Sequence, residues 1–444
     1  MPSELSYIAL IFALFVLPKV LQRFKIPSAI TSLAIGLVCG LGFGAFVGDP
    51  TVKLLATFGI VALFVFAGLD ADLEALRRGA SLLVQHLSIR LAMLAGVTFI
   101  TQKALGLELR PALVVALALL TPSTGFILES LHCFQLRPAE VFWVKAKAIG
   151  TEILALLALF VVLQSGSVLQ LGLSAVALIG MVVGLPFVFR LYADRVAPFA
   201  PKSEFAFVMM VAVLAAYATR ELGTYYLVGA FIVGMVAERF CKQAPSFSSE
   251  SMLHAMEVFA SFFVPFYFFS AGLRVKPSDL SWSSLLLGVL FLLTAMPLQV
   301  GAVALHRRLV LKEPFPRAVR VALSLSPTLI FTLVLAGILR ERYQVPSFLF
   351  GGLVVYAVGS TMLPSILLRT APPDFEDLHV PELQPAPEAG LAEVSEATGD
   401  LQGAVAPSAL QPEPASGLVV PPEATADAAP AEQADLAPGK PNAA

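Results

Sequence analysis

One glutamate interrupts a long apolar stretch in the middle of the chain. Glu152 stands within residues 149–157, which read Ile-Gly-Thr-Glu-Ile-Leu-Ala-Leu-Leu, and no other acid lies beside it. A carboxyl group in an apolar medium favours its neutral form, so a proton and a cation would compete for the same oxygen atoms. Thr151 adds a hydroxyl oxygen, the kind of ligand that hard cations accept. These residues predict exchange of a cation for a proton at one carboxylate.

Four basic residues leave other interpretations open. Lys145 and Lys147 lie one to two helical turns before Glu152, so a structural ion pair is an alternative to a transport site. His86 and Arg90 stand four residues apart, on one face of another apolar segment. They either pair with an acid in the bundle or extend to the membrane surface, and the sequence does not decide between these options.

Two proline motifs, each flanked by hydroxyl groups, occupy the middle of two further apolar segments. They read Thr121-Pro122-Ser123-Thr124 and Ser326-Pro327-Thr328. Proline removes a helical hydrogen bond, and broken backbone at membrane depth is tolerated only inside protein or beside a water-filled cavity. We therefore expect two broken helices that cross around a shared ion site at Glu152. The hydroxyl groups of Thr121 and Ser123 are expected to bind the ion as well.

The proline motifs belong to a longer repeat. The tripeptide Ala-Gly-Leu at 67–69 recurs at 271–273, 204 residues later, and Pro122 recurs as Pro327, 205 residues later. The second member of each pair lies seven apolar segments after the first. Because seven is odd, the two copies are expected to cross the membrane in opposite directions. Such inverted repeats are typical of transporters that expose one site alternately to either side.

Composition predicts an all-α polytopic membrane protein. Hydrophobic residues make up 57% of the 444 residues and charged residues only 14%, too few for a soluble globular chain. We mark thirteen apolar segments that are long enough to cross a bilayer. They are 3–22, 27–47, 52–69, 80–101, 111–131, 139–163, 168–190, 203–219, 222–240, 256–273, 283–305, 317–339 and 348–368. Residues 1–370 are thus expected to form the transmembrane exchanger domain.

The remainder, residues 371–444, has a different composition. This Pro- and Ala-rich tail holds 13 acidic residues and one basic residue, Lys440. It has too few apolar residues to offset its ordering entropy, so we expect it to be disordered. Loops after odd-numbered segments hold 17 Lys and Arg residues and the opposite loops hold 8. By the positive-inside rule, the N-terminus lies outside and the tail is cytoplasmic.

These motifs resemble those of the monovalent cation:proton antiporter-2 family, the Kef-type sodium/proton and potassium/proton exchangers. The family's string after the third span is matched by residues 66–73, and its Thr-Pro motif by Thr121-Pro122. Thr151-Glu152 falls where the family has a pair whose second member binds the ion. The resemblance implies thirteen helices, a six-helix core that slides against a dimerisation domain, and a homodimer in the bacterial inner membrane.

The chain departs from the family at several positions. Met296 precedes Pro297 where the family often has a basic residue, and Ile330 stands where related antiporters have a glutamate. The usual aspartate and its preceding acid or amide are replaced by Glu152 and Thr151. We expect no regulatory nucleotide-binding domain after the last span, because no GxGxxG motif occurs in a strand–helix setting.

The expected function is electroneutral exchange of Na⁺ or K⁺ for H⁺. One alternative is a sensor or scaffold that has lost transport and signals through the tail, and a third interpretation is a symporter of an organic anion. No nucleophile–base pair or metal cluster suggests an enzyme. We expect no cofactor, no nucleic-acid partner and no metal other than the transported cation, with the lipid bilayer as the surrounding medium.

Overall fold

A computed structural model describes residues 4–71, 76–77, 79–134, 136–164, 166–200, 202–223, 225–243 and 250–368. Helices form most of this part of the chain, which contains no strand, as the composition predicts. The predicted tail at 371–444 lies outside the described residues, and so do residues 72 and 73 of the third-span motif.

The described residues contain fifteen α-helices and two short 3₁₀ helices, joined by turns and loops. The α-helices are α1 Glu4–Gln22, α2 Ser28–Phe43, α3 Pro50–Leu69, α4 Ala80–Leu105, α5 Leu109–Leu120, α6 Thr124–Ser130, α7 Pro138–Gln164, α8 Val168–Arg195, α9 Glu204–Glu221, α10 Leu227–Gln243, α11 Glu250–Leu273, α12 Trp282–Val310, α13 Phe315–Ser324, α14 Leu329–Tyr343 and α15 Ser347–Leu368. The 3₁₀ helices are Leu131–Phe134 and Pro277–Asp279.

Each of the thirteen predicted segments coincides with one helix or with a pair of helices separated by a break. Among the described residues, nine helical segments are long and apolar enough to cross a membrane, and Leu109–Leu128, which continues from α5 into α6, is one of them. The pair α13 and α14, bent by 49° at its break, gives a tenth. The remaining three helices, α2, α9 and α10, are shorter or more polar. The chain is an integral membrane protein.

The helices pack in two groups. The scaffold group contains α1, α2, α3, α9, α10 and α11, and the crossing group contains α4 to α7 and α12 to α15. Helix α8 contacts α7 of one group and α10 of the other, and α3 touches α6 along the seam between the groups. The crossing group corresponds to six predicted spans, including both spans with a proline motif.

Close backbone packing joins α2 to α11 inside the scaffold group. A Cβ atom at Gly36 would lie 2.0 Å from the carbonyl oxygen of Phe269, and one at Gly272 would lie 2.1 Å from that of Leu33. Any larger residue at these positions would push the helices apart. Small residues at such interfaces let membrane helices approach closely, which maximises their van der Waals contact.

Candidate functional site

The two broken helices meet at their breaks through direct hydrogen bonds. The backbone N–H of Ser123 donates to the carbonyl oxygen of Pro327 at 2.8 Å. The hydroxyl oxygen of Ser123 accepts from the backbone N–H of Ile330 at 2.9 Å. From the other side, the hydroxyl of Thr332 donates to the carbonyl oxygen of Ala118 at 2.7 Å. Each break thus satisfies backbone groups that the other leaves free, which is the crossing expected from the paired prolines.

The last carbonyl groups of α5 are bound by three buried side chains. Arg90 donates from Nη1 to the carbonyl oxygen of Leu120 at 3.3 Å and to Oε1 of Gln299 at 3.1 Å. Gln299 Nε2 and the hydroxyl of Tyr356 each donate to the carbonyl oxygen of Leu119, both at 2.7 Å. A cation at a helix C-terminus is favoured by the helix dipole. Arg90 therefore supports the broken backbone, which is neither of the two roles that the sequence left open.

Sequence reasoning missed Gln299, Tyr356 and Thr332. A signal was present for the first of these, since Gln299 is an uncharged polar residue two positions after Pro297 in an otherwise apolar segment. Side chains of this kind usually form hydrogen bonds to a neighbouring helix, because lipid offers them no partner.

Glu152 borders a small cavity on the seam between the two helix groups. The cavity has a volume of about 10 Å³, so it has room for one body the size of a water molecule. Its lining residues are Leu63, Phe64, Ala67, Ser123, Thr124, Gly125, Glu152, Ile330 and Phe331. Within the described part of the chain, Glu152 Oε2 and Thr124 Oγ1 are buried without a hydrogen-bond partner. Both are oxygen atoms that could bind a cation.

Two helix N-termini border the cavity beside Glu152. Helix α6 begins at Thr124 and helix α14 begins at Leu329, and Thr124 and Gly125 of the first and Ile330 and Phe331 of the second line the cavity. The partial positive charge of a helix N-terminus favours a carboxylate without neutralising it as a full counter-ion would. The Glu152 carboxyl group also keeps an oxygen atom without a hydrogen-bond partner among the described residues, so that oxygen is available to a proton or a cation.

The two lysines of the same helix do not pair with this glutamate. The ammonium group of Lys145 lies 3.8 Å from Asp70 Oδ1. Lys147 is 1% exposed, and its ammonium group has no hydrogen-bond partner among the described residues. No ion pair joins either lysine to Glu152 in this part of the chain, so the structural ion pair that the sequence allowed is not formed.

Two of the predicted ion ligands lie outside the cavity. The hydroxyl of Thr151 donates to the carbonyl oxygen of Lys147 at 2.7 Å and lies 3.2 Å from His86 Nε2. Successive residues of a helix point about 100° apart, so Thr151 faces away from the neighbouring glutamate. Thr121 ends α5, where its backbone N–H donates to the carbonyl oxygen of Leu117 at 2.9 Å.

The other residues of the two motifs have distinct roles. Ser123, predicted as an ion ligand, and Thr124, predicted only as part of the break, both line the cavity. Ser326 donates to the carbonyl oxygen of Leu323 at 2.8 Å, and the hydroxyl groups of Thr328 and Ser360 lie 2.9 Å apart. Pro122 and Pro327 interrupt the helices without lining the cavity. Their contribution is the break itself.

Met296 and Ile330, the two positions at which the chain departs from related antiporters, lie in different places. Ile330 places an apolar side chain at the cavity, at the position where the sequence departs from the glutamate of related antiporters. Met296 is buried inside the crossing group, with 3% of its surface exposed. Methionine is uncharged, so this position provides no charge. Glu152 is thus the one acidic side chain that lines the cavity in the described part of the chain.

The likeness to a solved structure concerns the fold. The structure of the sodium proton antiporter MjNhaP1 from Methanocaldococcus jannaschii at pH 8 superposes with a TM-score of 0.60. The match covers 82% of this chain and 95% of that protein at 16% sequence identity. At this identity, the comparison shows a shared helical architecture.

Two curated relatives are similar in sequence. A probable Na⁺/H⁺ antiporter 3 from Methanocaldococcus jannaschii is 27% identical over 380 residues, which cover 80% of this chain and 93% of the relative. The Na⁺/H⁺ antiporter NhaS5 from Synechocystis is 25% identical over 285 residues, which cover 61% of this chain and 39% of the relative.

The motifs suggested a Kef-type exchanger, whereas the comparisons support membership of a wider family. Neither relative named here carries a Kef-type name, so the expected Kef-type subgroup finds no support. The family model for the transmembrane part of sodium/hydrogen exchangers matches residues 8–370, which include almost all of the described helices. The chain belongs to the sodium/hydrogen exchanger family.

Proposed function

We propose that this protein exchanges Na⁺ for H⁺ across the membrane by competition at Glu152. One observation carries the proposal: a buried carboxylate oxygen without a hydrogen-bond partner among the described residues borders a cavity with room for one small ion. The names of the two curated relatives, both sodium/proton antiporters, favour Na⁺ over K⁺ as the cation.

Competition follows from the chemistry of one carboxylate. When Glu152 is ionised, its oxygen and the hydroxyl oxygen of Thr124 bind the cation, since Na⁺ prefers oxygen ligands. When Glu152 is protonated, the same oxygen has lost its charge and the cation leaves. Because the cavity lies on the seam, movement of the crossing group against the scaffold group carries the occupied site from one side to the other.

One carboxylate favours a one-for-one cycle. The cavity presents a single titratable group in the described structure, and it holds either one proton or one Na⁺. Each transit then moves the same charge, so the exchange is electroneutral. We also infer that the exchanger works as a homodimer in the bacterial plasma membrane, with its N-terminus outside. The excess of basic residues in one set of loops supports this orientation.

The decisive experiment compares two glutamates of α7 in proteoliposomes. Exchange is followed as Na⁺-driven dissipation of a pH gradient, with a pH-sensitive dye. Glu152→Gln is expected to abolish exchange, because an amide cannot alternate between proton and cation. Glu140→Gln is the matched control, since Glu140 is 6% exposed but binds the backbone N–H of Arg137 at 2.9 Å, away from the cavity. Full exchange by Glu152→Gln would exclude competition at this residue.

Ion choice and stoichiometry require separate measurements. Replacing Na⁺ by Li⁺ or K⁺ in the same assay ranks the cations, and a response to K⁺ equal to that to Na⁺ would overturn the choice of Na⁺. An imposed membrane potential is expected to leave the initial rate unchanged. A rate that follows the potential would instead require unequal numbers of charges.

A further inference from the structure

The seam between the two helix groups is the surface along which the proposed exchange must take place. The scaffold group provides Leu63, Phe64 and Ala67 to the Glu152 cavity, and the crossing group provides its polar residues. Contacts that join the groups at the ends of the seam therefore control the relative position of the groups, and with it the access to Glu152.

Two ion pairs cross the seam in the part of the chain that the structure describes. Asp70, just after α3 of the scaffold group, has its Oδ1 atom 3.8 Å from the ammonium group of Lys145 in the crossing group. Arg274, just after α11 of the scaffold group, has its Nη1 atom 3.3 Å from Oε1 of Glu341 in the crossing group. Arg340 strengthens the second contact, because its Nη1 atom donates to the carbonyl oxygen of Arg274 at 2.7 Å.

The two pairs lie at opposite ends of the seam. The start of α3 is beside the end of α11, because Asp49 and Arg274 line one cavity of about 520 Å³ and the rings of Phe46 and Phe269 lie 5.9 Å apart. Helix α3 has 20 residues, so its far end, where Asp70 lies, is about 30 Å away. One pair therefore lies near each membrane surface.

The scaffold members of the two pairs occupy corresponding positions of the repeat. Asp70 follows the Ala-Gly-Leu at 67–69 directly, and Arg274 follows the Ala-Gly-Leu at 271–273 directly. The charge at this position is reversed between the copies, and the charge of the partner is reversed as well. Complementarity is thus kept at both ends although the partners, Lys145 on α7 and Glu341 on α14, come from different parts of the repeat.

We propose that Asp70–Lys145 and Arg274–Glu341 are paired register contacts, which hold the crossing group in one position against the scaffold group and open when it moves. The inference rests on the proposed exchange function. Arg274 and Glu341 are 53% and 70% exposed, so this pair contributes little to overall stability. Charged pairs of this kind select one arrangement among several of similar energy. They are positioning residues, since they act on Glu152 only through the position of the groups.

The experiment tests whether each end of the seam must open. The three native cysteines are first replaced by serine, and then Asp70→Cys with Lys145→Cys, or Arg274→Cys with Glu341→Cys, is introduced. Both charges of a pair are removed together, so no lone buried charge remains. A reducible bifunctional thiol reagent then joins the two cysteines. His254→Cys with Glu257→Cys is the control, because this ion pair lies within α11 and does not cross the seam.

Before cross-linking, both variants are expected to exchange with unchanged apparent Na⁺ affinity and an altered maximal rate. After cross-linking at either end, exchange is expected to fall to the level of Glu152→Gln, and reduction is expected to restore it. The control pair is expected to exchange at the same rate throughout. Full exchange with either seam cross-link in place would overturn the proposal.

A second variant serves if a cysteine pair does not fold. Asp70→Lys with Lys145→Asp restores the pair with reversed charges and is expected to exchange, whereas Lys145→Asp alone is expected to be impaired. Equal activity of the single and double variants would also overturn the proposal. The proposed function fails separately, if Glu152→Gln exchanges normally.

Discussion

The hydroxyl oxygen of Ser123 accepts a hydrogen bond from the backbone N–H of Ile330 at 2.9 Å, and this contact joins one broken helix to the other. The same oxygen also accepts from the N–H of Phe331 at 3.3 Å. The first N–H groups of a helix have no partner within it. A serine in the first break therefore caps the helix that begins after the second break, next to the Glu152 cavity.

Removal of this cap is expected to weaken both the fold and the site. Ser123→Ala leaves two buried N–H groups without their acceptor, which costs about 1–3 kcal/mol of stability. Exchange is expected to fall as well, because Ile330 and Phe331 line the cavity. Thermal unfolding in detergent and the proteoliposome assay measure the two effects.

Ser326→Ala is the matched control for this variant. Among the described residues, the hydroxyl of Ser326 binds only the carbonyl oxygen of Leu323, three residues earlier, so its loss leaves the contact between the broken helices intact. We expect a clearly smaller change in melting temperature. If the two alanine variants unfold at the same temperature, the cap does not have the role assigned to it.

Arg90→Met is expected to destabilise the end of α5. The guanidinium group is 4% exposed and binds the carbonyl oxygen of Leu120 and the amide of Gln299. Loss of hydrogen bonds from a charged group costs about 1.5–3 kcal/mol. Lys103→Met, on the exposed end of the same helix, is expected to leave the free energy of unfolding within about 0.5 kcal/mol of that of the wild type. Similar losses for both variants would contradict the structural role of Arg90.

The sequence predicted the breaks and the glutamate because their physical causes are local. Proline interrupts a helix wherever it stands in mid-span, and a lone acid in an apolar segment is costly whatever surrounds it. The thirteen segments were recognisable for the same reason, since the length needed to cross a bilayer depends on the segment alone.

The partners of these residues could not be predicted in the same way. Arg90 and Gln299 are 209 residues apart in sequence, and only the packing of α4 against α12 brings them together. The choice between Thr151 and Thr124 as a neighbour of Glu152 depends on the direction in which each side chain points. Thr151 is adjacent in sequence but lies on another face of the helix, whereas Thr124 reaches the cavity from a different helix.

Thr124→Val is expected to lower the apparent Na⁺ affinity with little loss of stability. The hydroxyl of Thr124 is buried beside the Glu152 carboxyl group and forms no hydrogen bond to another described residue, so the isosteric valine removes one oxygen atom from the site and keeps the shape of the side chain. Loss of one oxygen ligand to a charged species is expected to raise the Na⁺ concentration for half-maximal exchange about tenfold. Initial rates over a series of Na⁺ concentrations give this value.

Thr151→Val provides the contrast. Its hydroxyl is bound to the carbonyl oxygen of Lys147 and lies beside His86, outside the cavity. The Na⁺ dependence of this variant is expected to match that of the wild type. A larger shift for Thr151→Val than for Thr124→Val would instead restore Thr151 as the ligand, as the sequence suggested.

Asp70 gives the chain a stability that depends on pH in a defined direction. Its side chain is 11% exposed just beyond the end of α3. Burial raises the pKa of Asp70 to about 6, although the nearby ammonium group of Lys145 works against this shift. The pKa of an unfolded aspartate is about 3.9, so the folded chain binds this proton more tightly. The stability that the group contributes is therefore complete below about pH 4 and is lost as the pH rises through 6.

Asp70→Asn removes this dependence, because the amide does not titrate. The wild type is therefore expected to gain stability relative to the variant when the pH falls from 7 to 4. This gain is at most about 3 kcal/mol and is seen as a larger difference between the two melting temperatures at pH 4. Paired unfolding curves at several pH values measure it, and the other acids cancel because both chains share them. A relative melting temperature that stays constant, or that rises with pH, would show that the folded chain does not hold the proton of Asp70 more tightly than the unfolded chain.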